Sequence, residues 1–259
     1  MIQQSDGHYL KWEKYASGQL KSKQNFIQLK NGTYVADGFY VRYFENGIVA
    51  DSAFFLNGKK NGIERTYYET GKLASSFFYR DGQPDSLGIM LHPNGKLAFW
   101  FYRIFGKPWG KQEQYDMNGN LMSVIFATGL DSMAFIAKMD KEGTITKMEG
   151  NLIYALERDH ANLKVGYPFS VLNFVPEFGK YKARLIVMLK DSSLRTIEER
   201  NVRQLKNYKY DMSGSAYFFD YVFKVPGPYT YCSIVTLYDT TNQKVLRIDT
   251  VQTILKVPK

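Results

Sequence analysis

Glycine returns every 24 residues in the first half of this chain, at Gly47, Gly71, Gly95, Gly119 and Gly143. A second column, Gly58, Gly82 and Gly106, keeps the same step. Two residues after each member of the first column stands an aliphatic side chain: Val49, Leu73, Leu97, Leu121 and Ile145. Seven residues after the first four stands an aromatic: Phe54, Phe78, Tyr102 and Phe126. A fixed period of this length is an internal repeat, and it constrains architecture more than any local propensity does.

One unit, Gly62 to Gly82, reads GIERTYYETGKLASSFFYRDG. Short aromatic-rich runs alternate with turn signals. Six Asn-Gly and three Asp-Gly dipeptides lie in residues 1–150 and none beyond. Such dipeptides supply the positive φ angles of tight hairpin turns. The unit is therefore read as a strand, a turn at Glu69-Thr70-Gly71, a second strand, and a turn near Asp81-Gly82. Taking Asn46-Gly47 as a two-residue turn closed by Glu45 and Ile48 sets Tyr43 opposite Ala50 and Phe39 opposite Phe54. The next units repeat this as Tyr67 with Ala74, Ile63 with Phe78, Leu91 with Ala98 and Leu87 with Tyr102. Large opposite small through three units predicts that this side is the packed one. Residues 7–32 read as a worn first unit. Its Gly18 lies 29 residues before Gly47 rather than 24, which an insertion near Lys30 to Val35 explains.

The units resemble the bacterial variant of the MORN repeat, as found in YwqK-like antitoxin components. The resemblance rests on GFYVRYFENGIV, GIERTYYETGKL and GKQEQYDMNGNL, and on the linking turns NGKKNG and FGKPWG. It covers about residues 7–150. The third unit departs from the pattern, with Leu91-His92 for the aromatic pair and Ser86 for the expected glycine. The resemblance implies an elongated array of β-hairpins used for contacts with proteins or membranes.

Composition shifts near Gly150. Seventeen of 21 glycines precede Asn151, and five of eight prolines follow it. The later segments are longer and alternate more cleanly: KARLIVMLK, SAYFFDYVFKV, YTYCSIVTLYD and KVLRIDTVQTILKV. About seven strands at this spacing predict an antiparallel sandwich of immunoglobulin-like kind. Residues Phe218 to Asp239 are similar to the late strands of bacterial Ig-like or PKD-type modules. The stretch 192–208 fits neither the helical nor the strand period. The expected fold is all-β, with a MORN-like hairpin-repeat domain over 1–150 and an Ig-like β-sandwich domain over 151–259.

Net charge is +9, divided as +3 over residues 1–150 and +6 over 151–259. The densest basic stretch holds Arg195, Arg200, Arg203, Lys206 and Lys209, diluted by Glu198 and Glu199. Its plain reading is a solvated loop and edge strand; its sharper reading is an anionic partner. No zinc-finger spacing or RNA-recognition motif argues for specific nucleic-acid binding. No run of 18 apolar residues suggests a transmembrane helix. The opening MIQQSDGHYL lacks the pattern of a signal peptide. Two locations follow: export, periplasmic or at the cell surface with a signal already removed, which is the favoured one, or the cytoplasm. Cys232 is the single cysteine and sits in a strand-like run, as a buried filler does.

A catalytic reading finds little. His8, His92 and His160 have no Cys, His or acid at ligand spacing, and there is no nucleophile elbow, Walker motif or dinucleotide fingerprint. The expectation is no enzyme, no cofactor and no metal. Trp100 is placed on the packed side, in the column of Ser52 and Ser76. Trp109 is placed at a turn tip, anchoring a partner or docking on the neighbouring domain.

Recognition in a repeat array falls to residues that differ between units. On the face opposite the packed one, the expected binding surface is Tyr68, Tyr79, His92, Phe99, Phe101 and Arg103, an apolar patch with a polar rim. The competing reading is a second core. The function expected is a non-catalytic binding or scaffold protein of the cell envelope, facing a protein, an anionic glycan or a membrane surface. The alternative is a cytosolic antitoxin-like or immunity-like protein that neutralises one partner.

Overall fold

The computed structural model describes residues 1–5, 7–128, 133–152, 154–158, 163–201 and 216–258. Strands and turns make up these residues, and none of them is helical. Packing divides the chain into two compact units, one built from residues up to Ser123, the other from Val124–Thr128 and the residues that follow 132.

The first unit is a meander. Each long strand pairs antiparallel with the next: Tyr9–Lys14, Leu20–Gln28, Tyr34–Tyr43, Val49–Leu56, Gly62–Tyr67, Leu73–Arg80, Ser86–Leu91, Leu97–Ile104 and Lys107–Tyr115. The two glycine columns build two different turns. In the first, Phe44 N–H bonds to Ile48 O at 2.7 Å and Gly47 N–H to Phe44 O at 2.9 Å. The loop is therefore three residues long and closed by Phe44 and Ile48, not the two-residue turn assumed from Asn46-Gly47. The same pattern recurs at Tyr68, Gly71 and Lys72, and at His92, Gly95 and Lys96. In the second column both central residues have positive φ, as in Asn57 (49°) and Gly58 (82°) or Asp81 (50°) and Gly82 (83°). That is the type I′ turn, whose twist suits a two-residue hairpin.

The first turn brings a β-bulge with it. Tyr43 pairs with Val49 and Arg42 with Asp51, so Ala50 is the extra residue. Ala74 and Ala98 are skipped in the same way. The alanine column thus marks a bulge, not a small partner for a large side chain. Beyond the bulge, the expected pairs Phe39–Phe54, Ile63–Phe78 and Leu87–Tyr102 all form. Their burial is the reverse of the expectation. Phe39 is 69% exposed, Ile63 46% and Leu87 48%. Ala53, Ser75 and Phe101, on the opposite alternation, are buried, as is Ala50 at the bulge. A small residue there lets the large rings of adjacent strands close over it, so that side packs without a second layer.

Gly71 has φ +81°, and an added Cβ would stand 3.7 Å from Ile48 Cγ2, an ordinary contact. The cost of a side chain there is therefore conformational rather than steric. Gly71→Val should destabilise the unit by about 1–2 kcal/mol more than Val at the adjacent exposed Thr70. Equal melting curves for the two variants would remove the turn assignment.

Between Leu20–Gln28 and Tyr34–Tyr43, a three-residue loop closed by Leu29 and Thr33 stands where the later repeats have the type I′ turn. The strands Leu20–Gln28 and Tyr34–Tyr43 are longer than their counterparts, and their register shifts between Gln24 and Phe26. The extra residues are thus spread over the loop, the flanking strand ends and this irregularity.

The second unit holds the hairpin Met133–Met139 with Ile145–Gly150, and two sheets. One sheet orders Tyr154–Arg158, Pro168–Phe174 and Ala216–Val222; the other orders Thr196–Asn201, Tyr181–Lys190, Gly227–Asp239 and Val245–Val257. They pack face to face through rings: Phe169 and Phe219 lie 6.1 and 5.5 Å from Tyr231. Strand Tyr181–Lys190 shows why the sequence alternates, since Tyr181, Ala183, Leu185, Val187 and Leu189 are buried and the residues between them are not. Tyr181 also holds the hairpin, donating its hydroxyl to Gly143 O at 2.9 Å. Of the stretch 192–208, Thr196–Asn201 is a strand, and 202–208 lie outside the described residues.

Candidate functional site

The repeat register produces a stripe. Phe39 with Phe54, Ile63 with Phe78, and Leu87 with Tyr102 are three successive rungs on one side of the sheet. Each hairpin advances the sheet by roughly 9–10 Å, so the rungs repeat at that pitch. Phe39 and Phe54 meet edge to face at 5.2 Å. Between the second and third rungs lies a cavity of about 300 Å³ lined by Ile63, Ser76, Phe78, Arg80 and Leu87, among others. Exposed cations flank the stripe. Arg65 and Lys23 share its alternation, opposite Ser76 and Val41, and are exposed. A contiguous row of displayed apolar side chains is unusual on a soluble surface and marks a contact site.

The six residues expected to bind divide into two groups. Tyr68 and His92 lie in the row of three-residue loops. The Tyr68 hydroxyl donates to Leu91 O at 2.6 Å, and His92 Nε2 lies 2.9 Å from Tyr115 O. Tyr15 donates to Tyr43 O in the same manner. Each side chain thus reaches the carbonyl just before the next loop and ties unit to unit. Tyr79, Phe99, Phe101 and Arg103 come together on the face opposite the stripe. Phe101 is buried, Phe99 half-buried, and their rings lie 5.5 Å apart. Phe101 also lies 5.4 Å from Phe77, and the Arg103 guanidinium stands over its ring at 5.0 Å. Gly88 is the floor beneath these rings: an added Cβ would come within 2.5 Å of Phe101 Cζ and 2.7 Å of Phe77 Cδ1. Tyr79 sits under the Lys60 ammonium at 5.0 Å. Burial and the nearby Glu64 carboxylate, itself paired with Lys60, push its hydroxyl up to about 12.

Sequence reasoning missed a cluster in the last of these hairpins. Trp100 Nε1 and the Tyr115 hydroxyl both donate to Glu113 Oε2, at 2.7 and 2.6 Å. Lys111 Nζ pairs with Glu113 Oε1 at 3.0 Å and stands over the Trp100 ring at 5.7 Å. The signal was present in the columns: Ile63, Leu87 and Lys111 are one, and Arg65, Ile89 and Glu113 another. The apolar stripe therefore gives way to a satisfied ionic network. Burial alone raises the Glu113 carboxyl, but the hydrogen bonds from Tyr115, Lys111 and Trp100 outweigh it and leave it below the usual value. The same contact, with burial first, pushes Tyr115 up to about 12. The linkage sign follows: the unfolded chain takes this proton first, so the contribution is full above the ordinary carboxylate range and lost as pH falls below it. Glu113→Gln should cost about 1–3 kcal/mol at neutral pH, and the gap to the parent chain should narrow between about pH 5 and pH 3. A gap that stays constant or widens on acidification would contradict this assignment.

Trp109 does not occupy a turn tip. It lies half-buried in strand Lys107–Tyr115, and the tip is Phe105-Gly106, with Phe105 exposed at φ 48°. Cys232 is buried. His8 lies 3.4 Å from Asp37, while His160 falls outside the described residues. Among the described residues, no three Cys, His, Asp or Glu side chains group as metal ligands. Of the basic stretch, Arg195 pairs with Asp191 at 3.0 Å; Arg203, Lys206 and Lys209 lie outside the described residues. No described helix is long and apolar enough to cross a membrane.

Residues 60–81 match the family described as MORN repeat variant, so this segment is a MORN-type repeat. No curated protein matches the chain. Among solved structures, the crystal structure of TarM aligns at 12% identity over 49% of this chain and 20% of TarM, with a TM-score of 0.22. A point mutant of S. aureus TarM, in complex with fondaparinux, alpha-GlcNAc-glycerol and UDP, aligns at 11% over 52% of this chain and 22% of its own, with a TM-score of 0.23. The aligned part spans about a fifth of those proteins, and likeness at that level carries no argument about this chain.

Proposed function

We propose that this chain is a non-catalytic binding or scaffold protein of the cell envelope, whose repeat array lays its apolar stripe against a partner protein. The observation that carries the reading is the exposure of Phe39, Ile63 and Leu87 at one repeating pitch. Side chains needed only for folding would be buried; these are held in register and left in water. The opposite face suits the support role, since its charges are paired as Arg42 with Asp51 and Lys60 with Glu64.

The second unit is read as an Ig-like spacer. Three strands face four, in an order that places the first, second and fifth together. The Tyr229 hydroxyl, near the start of the sixth strand, donates to Val225 O at 2.7 Å, which fits a tyrosine corner. The linking turns favour the YwqK-like form of the repeat.

Photo-crosslinking in the native cell tests the reading. A benzophenone side chain placed at Leu87 should yield one discrete protein adduct in the envelope fraction, and one placed at the exposed loop residue Thr70 should not. The adduct should vanish with Phe39→Ser and Ile63→Ser. Lipid or glycan adducts at Leu87, or equal labelling from both positions, would overturn the protein-partner reading.

A further inference from the structure

The second unit carries a long sheet edge that nothing described covers. Strand Val245–Val257 is 13 residues long and ends its sheet, with Gly227–Asp239 as its strand partner among the described residues. Open edges are normally blunted by brevity, charge or proline, because their free N–H and C=O groups template further pairing. The other described edges of this unit follow that rule. Tyr154–Arg158 has 5 residues, Ile145–Gly150 has 6 and carries Lys147 and Glu149, Ala216–Val222 carries Asp220, and Thr196–Asn201 contains Glu198, Glu199 and Arg200. Val245–Val257 has no proline, and its one bulge, at Leu246, lies next to its start and leaves Arg247 to Val257 regular. Arg247 and Asp249 share one alternation, bonding each other at 2.8 Å and also reaching Gly150 O and Leu152 N. On the other alternation Ile248 is 59% exposed and Ile254 67%, with exposed Thr250 and Gln252 between them.

We propose that this edge pairs with the same strand of a second copy, antiparallel about a two-fold axis at Val251, so that two four-stranded sheets become one. The sequence is self-complementary in that register. Ile248 faces the partner copy's Ile254, and the reverse, giving two apolar pairs on one face. Thr250 then faces Gln252, Asp249 faces Thr253 and Arg247 faces Leu255, so no like charges oppose; Leu246 is the extra residue of a bulge, and the regular ladder runs from Arg247. Moving the axis to Thr250 sets Ile248 against Gln252; moving it to Gln252 sets Ile248 against Lys256. A shift of strand pairing by one residue puts exposed residues opposite buried ones. A two-fold contact demands a self-complementary patch, and this strand is one. The main-chain ladder supplies the affinity, as in strand addition generally.

Sedimentation equilibrium on the full chain tests this. The parent chain should approach twice its 29.9 kDa mass as concentration rises. Ile248→Lys with Ile254→Lys places cation opposite cation twice and should weaken association by at least about tenfold. Ile248→Lys with Ile254→Glu places opposite charges together and should restore it. Both positions are exposed, so circular dichroism and melting should stay near those of the parent. A parent that stays monomeric, or a dimer whose association is equal in both double variants, would overturn the proposal.

Discussion

Phe135→Ala should cost about 3–5 kcal/mol, a large share of a typical domain's stability. Phe135 is 1% exposed and packs between Phe126 and Phe178, at 6.2 Å from each ring. Phe126 and Phe135 belong to the second unit by packing, although Gly119 and Gly143 keep the 24-residue step across them. The variant therefore asks which unit owns the last hairpin. All three tryptophans, Trp12, Trp100 and Trp109, lie before Ser123. Tryptophan fluorescence thus follows the array, while far-ultraviolet circular dichroism follows both units. Denaturant titration of the variant should move a circular-dichroism transition to lower midpoint and leave the fluorescence transition in place. A shift of equal size in both signals would show that the two units unfold as one, and the division at Ser123 would lose its meaning.

The positions of the turns were legible because the glycine columns state them locally, but the loop length at Asn46-Gly47 was not. Gly71 and Gly119 do adopt positive φ, at 81° and 91°. The cross-strand pairs Phe39–Phe54 and Ile63–Phe78 were legible too, since two different loops lead to the same register beyond the bulge. A two-residue loop with no bulge pairs residues summing to 93; the observed three-residue loop with one extra residue at Ala50 gives the same sum. The inside and outside of the sheet were not legible. Periodicity of two says that two faces differ, but which face is buried depends on whether a second layer exists. Here the small side chains Ala53, Ser75 and Gly88 decide it, by admitting rings from neighbouring strands.

The stripe was not legible as a site: Phe39, Ile63 and Leu87 were expected on the packed side, and none of the six residues expected to bind lies among its rungs. Tyr79, Phe99, Phe101 and Arg103 do come together, as their common alternation required, but Tyr68 and His92 point their polar atoms at the next unit's backbone. That role depends on how one loop lies over the next, which spacing alone does not encode. Glu113 escaped notice because its partners Trp100, Lys111 and Tyr115 sit on two strands. Trp100 stood out by its column, but Glu113, Lys111 and Tyr115 were unremarkable singly, and only the departure of Lys111 and Glu113 from the repeat columns marked them.

The buried polar knot of the second unit should give the other large effect. Asn173, Tyr231 and Ser233 are each fully buried, between the two facing sheets. Asn173 Nδ2 donates to the Tyr231 hydroxyl at 2.9 Å, and Ser233 Oγ donates to Asn173 Oδ1 at 3.0 Å. Ser233 Oγ also lies 2.9 Å from the Tyr231 hydroxyl. Asn173→Leu deletes the hub and takes from both buried hydroxyls the partner they share. Taking a hydrogen-bond partner from a buried polar group costs about 1–3 kcal/mol, and two hydroxyls lose one here, so the single variant should lose roughly 2–4 kcal/mol. Removing the remaining hydroxyls should recover part of that loss, because an apolar cluster of similar shape carries no unmet bond. The triple variant Asn173→Leu, Tyr231→Phe, Ser233→Ala should therefore be more stable than Asn173→Leu alone. Circular-dichroism denaturation of the four chains, with Tyr231→Phe/Ser233→Ala as the fourth, measures the coupling directly. If the three substitutions prove additive, the side chains act independently and the sheets are held by their rings alone.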